Sequence, residues 1–116
     1  MADPRLKILY IKTGIVKRLA KEKVMYEKEA NQQRERIEKL KAEGKDEHTI
    51  RKQEEVLQES LMMVPDCQRR LAKAYEELSK ILEEEADMSQ RDEYKTALKA
   101  LEDAKSALPD SAAESS

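Results

Sequence analysis

Between Glu47 and Glu85 apolar residues recur at alternating intervals of three and four, and the pattern passes through Pro65 without losing phase. Ile50, Leu57, Leu61 and Val64 precede the proline, and Leu71, Tyr75, Leu78 and Leu82 follow it on the same helical face. A proline in a helix interior removes one backbone hydrogen bond and crowds the carbonyl four residues back. The surviving phase therefore predicts a second helix that is kinked at Pro65 but not broken. Val56, Met63, Cys67, Ala74 and Ile81 widen the stripe into a second flank, so this helix needs two helical neighbours.

The rest of the chain supplies them. Asp3 followed by Pro4 reads as an N-cap with proline at the first helical position. A first helix then runs over about 4–42, with a predicted stripe of Ile8, Ile11, Ile15, Leu19, Glu22, Tyr26, Ala30, Gln33, Ile37 and Leu40. It is dense in its first half and diluted in its second. Gly14 inside this helix costs about 1 kcal/mol relative to alanine, whereas Gly44 is placed to end it, just past Lys39 and Lys41. A helix of this length spans roughly 57 Å.

The short polar turn around Gly44 returns the chain antiparallel into the second helix, over about 47–85. Ser89 with Asp92 resembles a capping box opening a third helix over about 89–107, whose narrow face is Tyr94, Leu98, Leu101, Ala104 and Leu108. Residues 109–116 are small and polar and read as a disordered tail. The fold expected is an all-α, antiparallel three-helix bundle, rod-like, with left-handed coiled-coil packing of the spectrin type. Its third helix is short. Register places the end of that helix near Pro65, opposite roughly Met25, leaving helices one and two to continue as a thin two-helix arm.

Composition agrees. Ala, Glu, Lys, Leu and Arg make up 66 of the 116 residues, and Trp and Phe are absent. That exceeds the roughly 50% typical of long-helix proteins. The net charge of −2 hides an asymmetry: residues 1–28 carry +5, residues 29–75 are neutral and residues 76–116 carry −7. Folding the acidic end beside the basic start would satisfy both.

Catalytic signals are missing. His48 has no histidine or cysteine partner nearby, and Cys67 is the sole cysteine, so neither a metal set nor a nucleophile with its base is readable. No glycine loop for phosphates occurs, no cofactor is implied, and the chain reads as a binding protein and not an enzyme. The lone cysteine and the lack of a signal or long apolar run make the cytoplasm the default compartment. Lys17, Arg18, Lys21 and Lys23 could attract nucleic acid, but the acidic domain and the absence of nearby stacking aromatics favour a solvated face or an anionic protein partner. Membrane binding is weaker still, because no basic face is coupled to interfacial aromatics. Met25, Met62 and Met63 either fill irregular space around the proline or form a soft patch for a protein client.

Three stretches carry a resemblance: Ile11-Lys12-Thr13-Gly14-Ile15-Val16-Lys17-Arg18-Leu19, Lys21-Glu22-Lys23-Val24-Met25-Tyr26-Glu27-Lys28-Glu29-Ala30, and Leu61-Met62-Met63-Val64-Pro65-Asp66-Cys67-Gln68-Arg69-Arg70. With the opening Met1-Ala2-Asp3-Pro4-Arg5 and Glu93-Tyr94-Lys95, they make the chain resemble the tubulin-folding cofactor A family, also called tubulin-specific chaperone A. The likeness covers nearly the whole domain; Leu6 to Tyr10 and the Ser/Ala-rich tail depart from it.

The resemblance implies a monomeric chaperone of the cytoplasm, associated with the cytoskeleton. It would capture β-tubulin after chaperonin release, hold it without ATP and pass it on for heterodimer assembly, in company with other tubulin-folding cofactors. The alternative is a generic coiled-coil scaffold whose helices exist to dimerise. The contact surface expected for β-tubulin is our own reading of the residues: Met25, Met62, Met63, Pro65, Cys67, Arg69 and Arg70, with Lys17, Arg18, Lys21 and Lys23 alongside.

Overall fold

The structure is a computed structural model that describes residues 3–109. The positions expected to form a tail lie, from residue 110 onward, outside the described residues. Among the described residues there are three α-helices and no strands: α1 (Pro4–Ala42), α2 (Glu47–Glu84) and α3 (Asp92–Ala104), with 3-10 turns at Ala86–Met88 and Lys105–Ala107. The body is elongated, 64 × 31 × 16 Å.

Local chemistry sets the ends of α1. The Asp3 carboxylate accepts a hydrogen bond from the Arg5 backbone N–H at 2.9 Å, satisfying one of the helix's free donors. At the other end Gly44 adopts φ 72°, a left-handed conformation that favours glycine. There the Lys45 N–H donates to the Leu40 carbonyl and the Gly44 N–H to the Lys41 carbonyl, each at 3.1 Å. α2 remains helical on both sides of Pro65.

Cross-helix contacts place α1 and α2 in opposite directions. Arg5 meets Glu85 at 2.5 Å, Lys12 meets Glu77 at 3.2 Å and Lys41 meets Glu54 at 3.8 Å. Between these, the Cys67 thiol lies 3.8 Å from the Glu22 carboxylate. α3 packs across this hairpin, and the Tyr94 hydroxyl donates to the Leu82 carbonyl at 2.9 Å.

The core occupies one end. Leu6, Leu9, Val16 and Leu19 of α1, Cys67, Leu71, Leu78 and Leu82 of α2, and Met88, Tyr94, Ala97, Leu101, Ala104, Ala107 and Leu108 form one buried cluster. Every buried residue of α2 lies after Pro65. Toward the hairpin tip α1 still buries Ala30, Gln33 and Ile37, while Ile50, Leu57, Leu61 and Val64 opposite are only half-buried. Gln33 is pinned there: its Nε2 donates to the Gln53 carbonyl at 2.9 Å and to the Gln53 Oε1 at 2.8 Å. Its own Oε1 accepts from Arg36 at 3.0 Å.

Two expectations about packing are corrected. The inward stripe in the first half of α1 is Leu6, Leu9, Thr13, Val16 and Leu19, whereas Ile8 and Ile11 are each 49% exposed. Two parallel stripes satisfy helical spacing in this stretch. The one continuing the seven-residue ladder Leu9, Val16, Lys23, Ala30, Ile37 faces both neighbours. Thr13 sits in that stripe as the one buried side-chain polar atom without a partner among the described residues.

The start of α3 also differs. Arg91, not Ser89, occupies its N-cap position, and Ser89 is part of the preceding turn. The α-helix has 13 residues and buries Ala97 and Ala100 while Leu98 stays half exposed. Alanines on the inner face let the short helix approach the hairpin closely.

Complementary charge closes the core end. Arg5 holds Asp3 at 2.7 Å, Glu85 at 2.5 Å and Asp87 at 3.2 Å. Hydrogen bonding from the Arg5 side chain, then from its backbone N–H, keeps the Asp3 carboxyl below its ordinary value of 3.8. A carboxyl whose pKa is lower folded than unfolded stabilises the fold above the unfolded value, and that stabilisation is lost as pH falls through the folded value. Melting temperature should therefore drop on acidification below 3.8, and Arg5→Gln should flatten that part of the profile.

Candidate partner-binding surface

The charged and methionine residues singled out by the sequence fall into two exposed groups and two withdrawn positions. On α1, Lys17, Arg18, Lys21 and Met25 are all exposed. They follow one another at helical spacing on the side turned away from the core. Lys17 and Arg18 border a recess of about 560 Å³ together with Tyr10, Ile11 and Gly14, and Asp92, Glu93 and Thr96 of α3 lie at its edge. The basic start of α1 thus meets the acidic chain end both here and at Arg5.

On α2, Met62 is 70% exposed and Met63 is 38% exposed. Both line a shallow groove of about 440 Å³ between α1 and α2, with Tyr26, Glu29, Glu59 and Ser60. Pro65 is exposed one turn further on. Arg69 and Arg70 project into solvent beside Asp66, at 3.3 Å and 3.2 Å from its carboxylate oxygens. Such exposed pairs within a single helix contribute little to stability, so both guanidinium groups can exchange Asp66 for a partner's carboxylates.

Two expected contact residues do not belong to this surface. Cys67 is only 3% exposed and points into the core beside Glu22. Burial, reinforced by the Glu22 charge, pushes its thiol pKa upward, so it packs as a small protonated hydrophobe. The Lys23 side chain is 12% exposed and ion-paired to Glu27; its stem fills the ladder position between Val16 and Ala30.

Sequence spacing does not mark Tyr10, Ile11 and Gly14 as members of this exposed face: it puts Ile11 in the core stripe and reads Gly14 as a tolerated cost within the helix. The available signal was the second apolar stripe itself, since a helix whose other stripe already meets two neighbours leaves Ile8 and Ile11 of this one half exposed. The surface also divides differently from expectation. Met62 and Met63 share a groove with α1, whereas Lys17 and Arg18 rim a separate recess beside α3.

These arrangements can bind but carry no reactive grouping. Among the described residues no three His, Cys, Asp or Glu side chains converge to hold a metal ion, and no helix is long and apolar enough to cross a membrane. What the molecule presents is exposed methionine, isoleucine and tyrosine interspersed with cations, on a rigid helical frame.

Residues 4–111 match the sequence profile described as Tubulin binding cofactor A. The chain is 63% identical over 97 residues to a rat protein named Tubulin-specific chaperone A, covering 84% of this chain and 90% of the rat one. It is 61% identical over 105 residues to the chicken protein of the same name, covering 90% and 97%. The solved structure described as human tubulin chaperone cofactor a superposes with a TM-score of 0.76 at 56% identity, covering 88% of this chain and 99% of that one. The resemblance first visible in the words around Gly14, Met25 and Pro65 therefore extends through sequence and fold alike, and the chain belongs to the tubulin binding cofactor A family.

Proposed function

We propose that this protein is a tubulin-folding chaperone that captures β-tubulin released from the chaperonin, holds it in a near-native state and hands it on. It does so by binding alone, without ATP, as a monomer in the cytoplasm beside the cytoskeleton, and its handover partners are other tubulin-folding cofactors. The observation that carries this reading is family membership spanning residues 4–111, at 61–63% identity to relatives named Tubulin-specific chaperone A. The chemistry of the surface supports it. Flexible methionines adapt to an incompletely folded client, and cations steer toward an acidic one.

In this reading Met25, Met62, Met63, Pro65, Arg69 and Arg70, with Lys17, Arg18 and Lys21, form the contact surface. The bend at Pro65 joins the three-helix core to the two-helix arm and gives the rod a concave side. The packing is that of a left-handed coiled coil in which α2 meets both neighbours after Pro65, where its buried residues lie, so its core end has no face left for dimerisation.

Capture tests this directly. Wild-type protein should retain β-tubulin released by a chaperonin folding reaction after the nucleotide has been removed. Met62→Asp combined with Arg69→Glu should reduce retention by about tenfold or more, since charge reversal within a contact costs at least 1–2 kcal/mol. Both side chains are exposed, so helical circular dichroism should be unchanged. Full retention by the double variant would remove the α2 surface from the reading. No retention by the wild type would remove the function.

A further inference from the structure

We propose that the outer face of α1, centred on Gly14, is a docking surface for an acidic amphipathic helix of a protein partner. The inference deepens the proposed capture role and rests on it only for the partner's identity. Gly14 is an anomaly that the fold leaves unexplained. It lies in the interior of a 39-residue helix and does not have a positive φ. A Cβ added there would meet nothing within 4 Å. Neither backbone conformation nor internal packing asks for glycine, and glycine is the least favourable non-proline residue in a helix interior.

What the missing side chain does provide is room outside the chain. Tyr10 and Ile11 stand one turn before Gly14 and Lys17 and Arg18 one turn after, making a rim around a recess of about 560 Å³. Tyr10 is 75% exposed, and a large aromatic so placed offers apolar area for a partner to cover. Three turns further along the same face, Val24 and Met25 are also exposed. The recess and this second apolar pair are roughly 16 Å apart by helical rise. A partner helix lying along α1 can seat one apolar side chain against Gly14 and another against Val24 and Met25.

Charge identifies the partner's polar side. Lys7, Lys17, Arg18, Lys21 and Lys28 share this face and are all exposed, with Glu22 and Glu29 along its far edge, four residues after Arg18 and Met25. Arg18 lies 3.7 Å from Glu22; the four lysines make no ion pair among the described residues. Such a strip selects carboxylates. Asp92 and Glu93 at the α3 edge of the recess repel them, which orients the partner's acids toward Lys17 and Lys21, away from α3. The same two carboxylates disfavour a continuous polyanion such as nucleic acid.

Gly14→Leu tests the proposal, because it should move stability and binding in opposite directions. The added side chain points into open space, so the melting temperature should rise by about 3 °C, while the filled recess rejects the partner. Two probes are used with the full chain: β-tubulin from a folding reaction, and a synthetic amphipathic helix with Leu on one face and Glu on the other. The Glu peptide should shift the backbone amides from Tyr10 to Arg18, a Lys-for-Glu version should not, and Gly14→Leu should weaken both β-tubulin and Glu-peptide binding by about tenfold. Wild-type affinity of Gly14→Leu for both probes, or equal binding of the Lys peptide, overturns the docking surface even if β-tubulin is captured. Glycine-dependent binding of the Glu peptide without β-tubulin capture upholds it and instead removes the proposed client.

Discussion

Leu78→Ala should destabilise the protein by about 3 kcal/mol, whereas Leu57→Ala should cost only about 1 kcal/mol. Both leucines lie on the same apolar stripe of α2, and sequence spacing treats them alike. They differ in what surrounds them. Leu78 is fully buried within the cluster to which α1, α2 and α3 all contribute, so truncation removes contacts on every side and leaves a cavity that rigid helices cannot close. Leu57 is half-buried beside α1 alone, where water reaches the vacated space and the seam can relax. Urea unfolding followed by far-ultraviolet circular dichroism measures both values. Equal losses would mean that the arm is as well packed as the core, and the division of the rod at Pro65 would have to be abandoned.

That division was legible in the sequence because it depends on chain length and register, which caps and proline fix. Asp3-Pro4 and Gly44 set the ends of α1, and the phase of α2 carried through Pro65. Side-chain facing was less legible. Wherever two apolar stripes coexist, as Leu6-Leu9-Val16 and Ile8-Ile11-Ile15 do, hydrophobicity does not choose between them. The choice is made by the heptad ladder running on to Ala30 and Ile37, and so by contacts more than twenty residues away.

α3 shows the complementary failure. Leucine outranks alanine in hydrophobicity, but a short helix crossing a hairpin gains more from close approach, so Ala97 and Ala100 face inward and Leu98 outward. The same logic governs the candidate surface. The exposure of Met62, Arg69 and Arg70 was readable because they lie off the stripe. Met63 and Cys67 share a flank that fits core and surface spacing equally well, and only the structure separates exposed Met63 from buried Cys67. Gly14 takes its meaning from the open space around it, which spacing along the chain does not encode.

Pro65→Ala should raise stability by up to about 3 kcal/mol, the amount a proline withdraws from a helix interior. Alanine restores an N–H that can donate to the Leu61 carbonyl, and it removes the ring from that carbonyl's path. No packing is forfeited, since Pro65 is exposed and the nearest buried residue of α2 is Cys67. The rise should appear as a higher urea midpoint with an unchanged slope, because the same surface is exposed on unfolding. An exposed position where alanine would be more stable retains proline for a reason outside the folded core, and the proposed concave rod supplies one. If the bend aims the arm so that Met62 and Met63 meet the client together with α1, the straightened variant must bend on binding, and β-tubulin capture should weaken while stability increases. A stabilised variant that captures β-tubulin as well as the wild type would separate the bend from recognition. The exposed methionines would then have to act as a local patch, indifferent to the direction in which the arm points.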